Sequence, residues 1–334
     1  MHPRQRPRFV LAGLLCAAAS IAAQTPTVPQ AQTIAPHIHL VSGVFAPGRQ
    51  PDGNSVLLRG SGGWIVVDTG RHAEHSAQIL DFVQAQGGAV AAVVNSHWHL
   101  DHVGGNARMR AAHPDLRVYA SAAIEQALGG WLANYRKQLD AMLANPDIGE
   151  QDKAGFRGDM ALIDLGPGLQ PDVTISSTRN WTLAGRRVRI GLETDAVTAG
   201  DVWLLDKKSG VLAAGDLVTL PVPFLDTACP ARWSAALARL EELPFTKLIP
   251  GHGPVLDREQ FAQYRVAFDG LLACAASDRP AAECADGWLA NAGPWVPASD
   301  HQRVRGMLDY YFEQHLRAPE AQRGRFCPRD RRLG

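Results

Sequence analysis

His97-Trp98-His99-Leu100-Asp101-His102 is the stretch on which the reading of the whole chain turns. It follows the apolar run 89–94, which reads as a buried strand, and it leads into Gly104-Gly105-Asn106. A strand, then a polar cluster, then glycines is the order expected of a site at the carboxyl edge of a sheet. Four of its six residues are metal-ligating types, because zinc, iron and manganese accept neutral imidazole and ionised carboxylate. His97 and His99 are two apart, so in an extended segment they project the same way and share one ion, whereas Asp101 and His102 face a second position beyond it. A polar surface loop is the bland alternative, and three histidines and an aspartate within six residues outweigh it.

Three other stretches have the same build, an apolar strand ending in small and ligating residues. They are Trp64-Ile65-Val66-Val67-Asp68-Thr69-Gly70, Ala213-Ala214-Gly215-Asp216-Leu217 and Ile249-Pro250-Gly251-His252-Gly253-Pro254. With the HxHxDH block they resemble, in family order, the motifs of the metallo-β-lactamase-fold hydrolases. The resemblance runs from Asp68 to His252, more than half of the chain. It implies an α/β (α+β) fold, a four-layer αββα sandwich with metals at one edge between the sheets. The ligands it implies are His97, His99, Asp101, His102, Asp216 and His252, with Asp216 bridging and Asp101 also the catalytic residue that aligns the nucleophile. The implied reaction is hydrolysis of a small ester, thioester, lactone or amide-type substrate by metal-bound hydroxide, with zinc as cofactor and iron or manganese as alternatives. The β-lactamases of the family resemble one another in lacking an aspartate at the Asp216 position. The chain is therefore similar to the general hydrolase branch, and its export signal favours the periplasmic quinoprotein-associated members.

One family residue is missing. The third histidine of the first site comes from a GxxHTxGD-like turn, and here that turn reads Asp195-Ala196-Val197-Thr198-Ala199-Gly200-Asp201. Val197 stands where the histidine is expected and cannot bind a metal. The sequence therefore predicts one tightly held ion and a second that is weak or absent. Glu193 and Asp195 are the nearest substitute oxygen ligands, and both also read as exposed strand-end charges. Two further readings stay open: a degenerate, non-catalytic periplasmic metal-binding or accessory protein, and an iron-dependent sulfur dioxygenase on the same scaffold.

With 334 residues, 46% hydrophobic and 20% charged, the chain has the composition of a soluble globular protein. Lys+Arg and Asp+Glu both number 33, which points away from nucleic acid and anionic membranes as partners; the partner that the resemblance implies is a small-molecule substrate. Arg4, Arg6 and Arg8, the apolar run 9–21 and the small residues around Ala22-Ala23 read as a signal peptide over 1–23. This predicts a periplasmic or secreted protein with no stable membrane insertion after cleavage. Once Cys16 is removed with the signal, Cys229, Cys274, Cys284 and Cys327 remain, and Cys274–Cys284 is the first expected disulfide.

The domain reading is a linker over 24–36, the metallo-β-lactamase-fold domain over 37–256 and a helical carboxyl-terminal extension over 257–334 packed on the same domain. His37 and His39 mimic a ligand pair, but no glycine turn follows and they read as residues of an edge strand. The spacing of Trp131, Leu132, Tyr135, Leu139 and Met142 predicts one long helix over 122–144, packed on the core or overhanging the site. Phe224, Leu225, Asp226 and Trp233 follow Asp216 closely enough to line a pocket. The basic tail with Arg323, Arg325, Arg329, Arg331 and Arg332 reads as a solvated, poorly ordered end.

Overall fold

The computed structural model describes residues 31–45, 49–319 and 325–327. The signal segment lies outside the described residues, as do Arg323, Arg329, Arg331 and Arg332.

Two sheets face one another. The first has seven strands in chain order: β1 (Gln32–Ala35), β2 (Ile38–Val41), β3 (Ser55–Gly60), β4 (Gly63–Val67), β5 (Val90–Val94), β6 (Arg117–Ala120) and β7 (Val173–Thr174). The second has five: β8 (Arg179–Leu183), β9 (Arg186–Glu193), β10 (Asp201–Asp206), β11 (Val211–Thr219) and β12 (Lys247–His252). Strand alternation sorts the side chains. Val56, Leu58, Ile65 and Val67 turn inwards to meet Val188, Ile190, Val202, Leu204 and Ala213 of the second sheet. Leu57, Trp64 and Val66, one residue out of phase, turn outwards.

Each outer face is covered by helices. Ile79 and Val83 of α1 (Ala73–Ala85) and Met109 of α3 (Asn106–Ala112) pack on the first sheet. Trp233 and Leu237 of α7 (Pro230–Glu241) and Phe261 and Phe268 of α8 (Arg258–Ala275) pack on the second. The helices α9 (Ala281–Ala292) and α10 (His301–Tyr311) extend that layer, and Phe312–Leu316 continues α10 as a π-helical turn. The layers are those of the expected αββα sandwich with its helical carboxyl-terminal part.

Several local expectations need correction. Residues 32–35 of the expected linker form β1, because Ile34 has apolar partners between the sheets. β2 is therefore not the edge strand, and His37 lies in the β1–β2 turn at φ 66°. The expected helix 122–144 is two helices, α4 (Ala123–Gly129) and α5 (Trp131–Ala144), broken at Gly130. A further helix, α6 (Glu150–Ile163), packs beside α5, and together they roof one side of the sheet edge. The short helix α2 (Leu100–Val103) is the start of the chain's turn out of the HxHxDH segment.

Candidate metal centre

β4 and β5 run parallel, as do β11 and β12, so their carboxyl ends share one edge of the sandwich. His97 and His99 follow β5, Asp101 and His102 open α2, Asp216 lies on β11 and His252 ends β12. The ligating atoms fall into two groups, His97, His99 and Asp216 in one and Asp101, His102 and His252 in the other, each within 4.8 Å of one another. Asp216 spans both groups. Its Oδ2 lies 3.6 Å from His97 Nε2, and its Oδ1 lies 3.3 Å from His102 Nε2 and 3.7 Å from His252 Nε2. Asp101 Oδ2 is 3.0 Å from His252 Nε2. All six expected residues are thus brought together. The close approach explains Gly251, where a Cβ would collide with the Asp216 carboxylate.

Hydrogen bonds around the edge fix which nitrogen of each imidazole is bare. Asp68, buried at φ 61°, accepts from Ser96 N (2.7 Å) and Ser96 Oγ (2.6 Å), and from His102 Nδ1 at 2.8 Å. Ser96 Oγ, its proton committed to Asp68, accepts from His97 Nδ1 at 2.9 Å. Thr227 Oγ1 donates to the Val197 carbonyl (2.9 Å) and accepts from His99 Nε2 (3.0 Å). The bare nitrogens are therefore His97 Nε2, His99 Nδ1 and His102 Nε2, the ones that face Asp216 and Asp101.

This donor set fits a divalent cation. His97 Nε2 and His99 Nδ1 are 2.8 Å apart, and two lone pairs at that distance repel unless a positive charge faces both. His102 Nε2 and Asp216 Oδ1 are buried and poorly aligned for a hydrogen bond to each other, and neither has another partner among the described residues. Burial pushes the His97 imidazole well below its ordinary range and His99 down to about 4, so both stay neutral and able to offer a lone pair. Burial disfavours a charged His102 too, but Asp216, Asp101 and Asp68 outweigh it and raise that group, so without a cation its Nε2 favours a proton, and a cation facing these carboxylates would displace that proton and leave Nε2 bare. Burial likewise opposes ionisation of Asp101 and Asp216, and the surrounding histidines overcome it to hold both as carboxylates.

The missing histidine is not replaced by either carboxylate nearest to it. Glu193 accepts from Trp203 Nε1 and pairs with Arg239, away from the centre. Asp195 is half-buried at φ 58° and interacts with Arg232. Val197 is fully buried in the outer core, its turn tied down by Asp201, which accepts from Val197 N and from Thr198 N and Oγ1.

Sequence reading missed four supporting residues. Thr227 and Ser96 set tautomers, as described. Arg71, directly after the Asp68-Thr69-Gly70 turn, places Nη2 3.7 Å from Asp101 Oδ1. Its other terminal nitrogen is ion-paired with the buried Asp159 of α6, which also accepts from Tyr135 of α5 at 2.9 Å. The only advance signal for Arg71 was its place after a motif, and for Asp159 there was none.

Above the centre lies a cavity of about 1200 Å³. Trp98, Trp131 and Tyr135 stack along one wall at centroid spacings of 5.3 and 5.1 Å, so the α5 aromatics do overhang the site. Phe224 touches the His99 ring at 5.0 Å and continues to Tyr311. Asp226 also lines the cavity, whereas Leu225 and Trp233 are buried in the core. Of the expected solvated tail, residues 325–327 are described, and there Arg325 is exposed. Arg325 and Phe326 line the cavity, and Cys327 is bonded to Cys229, alongside the expected Cys274–Cys284 disulfide.

Comparison with known proteins adds three findings. The sequence profile described as the metallo-beta-lactamase superfamily matches residues 48–252. An atrochrysone carboxyl ACP thioesterase of Passalora fulva is 33% identical over 97 residues, which is 28% of this chain and only 29% of the thioesterase's length. Among solved structures, a metallo-beta-lactamase from Pontibacter korlensis superposes with a TM-score of 0.52 at 19% identity, covering 72% of this chain and 98% of its own. A stereoselective inverting sec-alkylsulfatase from Pseudomonas sp. gives 0.53 at 19% identity, covering 76% and 44%. At such identities the structural likeness is one of fold.

Proposed function

The chain belongs to the metallo-beta-lactamase superfamily, and from that premise we propose that it is a metal-dependent hydrolase of small acyl substrates, with thioesters first among ester, thioester, lactone and amide-type linkages. The observation that carries the reading is the convergence of three bare imidazole nitrogens on two buried carboxylates at the floor of one cavity. The choice of thioester is supported by the Passalora fulva relative.

His97, His99 and Asp216 would hold one divalent ion, and Asp101, His102 and His252, with Asp216 shared, would hold another. A bound divalent ion supplies Lewis acidity, bringing the pKa of water towards neutrality and polarising a substrate carbonyl. Asp101 keeps one oxygen towards His252 and the other towards Arg71, and in that pose it receives a proton from attacking water. Trp98, Trp131 and Phe224 exclude bulk solvent around the acyl group. Water adds across the carbon–sulfur bond, giving a carboxylic acid and a thiol.

We also infer export. Two disulfides support it, because such bonds persist in oxidising compartments. Among the described residues no helix is long and apolar enough to cross a membrane.

The test is hydrolysis of a panel of acyl N-acetylcysteamine thioesters by protein purified without added metal, then stripped and reloaded with zinc, with the bound metal identified. Zinc-dependent turnover that is absent in Asp101→Ala supports the proposal. A protein that binds metal and cleaves nothing in an ester, thioester, lactone and amide panel returns the accessory reading. Iron with oxygen consumption on a persulfide returns the dioxygenase reading.

A further inference from the structure

The family match ends at His252, yet the outer side of the cavity is built by residues that come after it. Arg303, Tyr310 and His315 come from α10 and its π-helical turn, and Arg325 and Phe326 from the carboxyl-terminal arm. The arm is fastened by Cys327 to Cys229 at the start of α7. Cys229 is two residues after Thr227, whose hydroxyl touches His99, so the covalent link ties the arm to the rim of the metal centre.

The other charges on this wall are matched. Arg49 pairs with Glu74, Arg303 with Asp300, and Asp226 accepts from Tyr310 and His315. Arg325 has no carboxylate partner among the described residues, and its guanidinium stands 5.4 Å from the Phe326 ring. Arg303 approaches the centre through Phe45. Its guanidinium lies 5.3 Å from the Phe45 ring, and that ring stacks at 5.1 Å on His252, so one aromatic ring separates it from the metal centre. The cavity walls are aromatic, with Trp98 stacked on Trp131 on one side and Phe224 against His99 on the other.

We propose that the carboxyl-terminal arm, pinned by Cys229–Cys327, completes the substrate site, and that Arg325 with Arg303 selects aromatic acyl substrates bearing a carboxylate remote from the bond to be cleaved. The reading rests on the hydrolase proposal for the location of that bond. Arginine suits the role, since its planar fork meets a carboxylate through two parallel hydrogen bonds.

The experiment compares two N-acetylcysteamine thioesters of biphenyl-4-carboxylic acid, one with a 4′-carboxylate and one with a 4′-carboxamide of the same shape. Wild type should favour the carboxylate about tenfold in kcat/KM, mostly through KM, as one charge-assisted contact provides. That ratio should fall towards one in both Arg325→Gln and Cys327→Ser. Equal kcat/KM in wild type, or a ratio that survives both substitutions, overturns the proposal. If no thioester turns over, the hydrolase proposal fails and a binding titration decides this one alone. Biphenyl-4,4′-dicarboxylate should then quench tryptophan fluorescence at lower concentration than biphenyl-4-carboxylate in wild type and not in Arg325→Gln. Equal affinity for the two acids in wild type overturns it.

Discussion

Thr227 and His99 are joined by a hydrogen bond that decides which nitrogen of the imidazole faces the metal centre. Thr227 Oγ1 gives its proton to the Val197 carbonyl at 2.9 Å, and so at 3.0 Å it takes one from His99 Nε2. Thr227→Val keeps the shape and removes the acceptor. A buried N–H without a partner costs about 1–3 kcal/mol, and the ring is released to the tautomer that hides its lone pair. The expected result is a fall of about 10-fold or more in affinity for the ion held by His97 and His99, read by competition with a chromophoric chelator.

The Arg71–Asp159 pair makes a second prediction. Asp159 is the direct ion-pair partner of a guanidinium whose other carboxylate, Asp101, is 3.7 Å away. Asp159→Asn should cost about 3–5 kcal/mol in urea unfolding, the usual effect of stranding a buried charge. It should also weaken zinc binding at the Asp101 group through repulsion. Arg71→Met combined with Asp159→Leu should recover most of the stability, because the pair is removed together. A double variant as unstable as Asp159→Asn alone would show that packing rather than charge is at stake.

The strands leading to the site were legible because each motif is itself an apolar run closed by glycine or a ligand, so 64–70, 89–102, 213–217 and 249–254 carry element and chemistry in the same few letters. The absence at Val197 was legible for the same reason. Thr227 was not, since its partner is 128 residues away and nothing local marks a hydroxyl as a histidine's acceptor. Helix α6, with Gly155 and Gly158 in a mostly polar run, has a weak apolar stripe and gains its order from Leu162 and Ile163 under the site roof. The link of Cys327 to Cys229 escaped because four cysteines allow three pairings and nothing local selects one.

Asp52 gives the pH dependence. Burial alone would raise its carboxyl, but the side-chain and backbone hydrogen bonds of His72, with the charges of His75 and His72, bring it down to about 2. Its folded value lies below its unfolded one, so its contribution is complete above the unfolded pKa and is lost as pH falls through about 2. The contribution is on the order of 2 kcal/mol. Wild type should therefore lose more stability than Asp52→Asn between pH 5 and pH 2 in thermal melts, on the order of 2 kcal/mol. Parallel curves for the two proteins would remove Asp52 from the account.

The central claim is a lopsided two-ion centre that drives hydrolysis. One group has two imidazoles, the other has two imidazoles and a carboxylate of its own, and Asp216 is shared. The direct measurement is a zinc titration of the metal-free protein, with uptake and thioester hydrolysis followed in the same samples, wild type beside Val197→His. Wild type should bind zinc in two unequal steps and regain hydrolysis as zinc is added, and Val197→His should tighten the weaker step. Two equally tight steps in wild type, or hydrolysis that survives removal of the metal, would contradict the account.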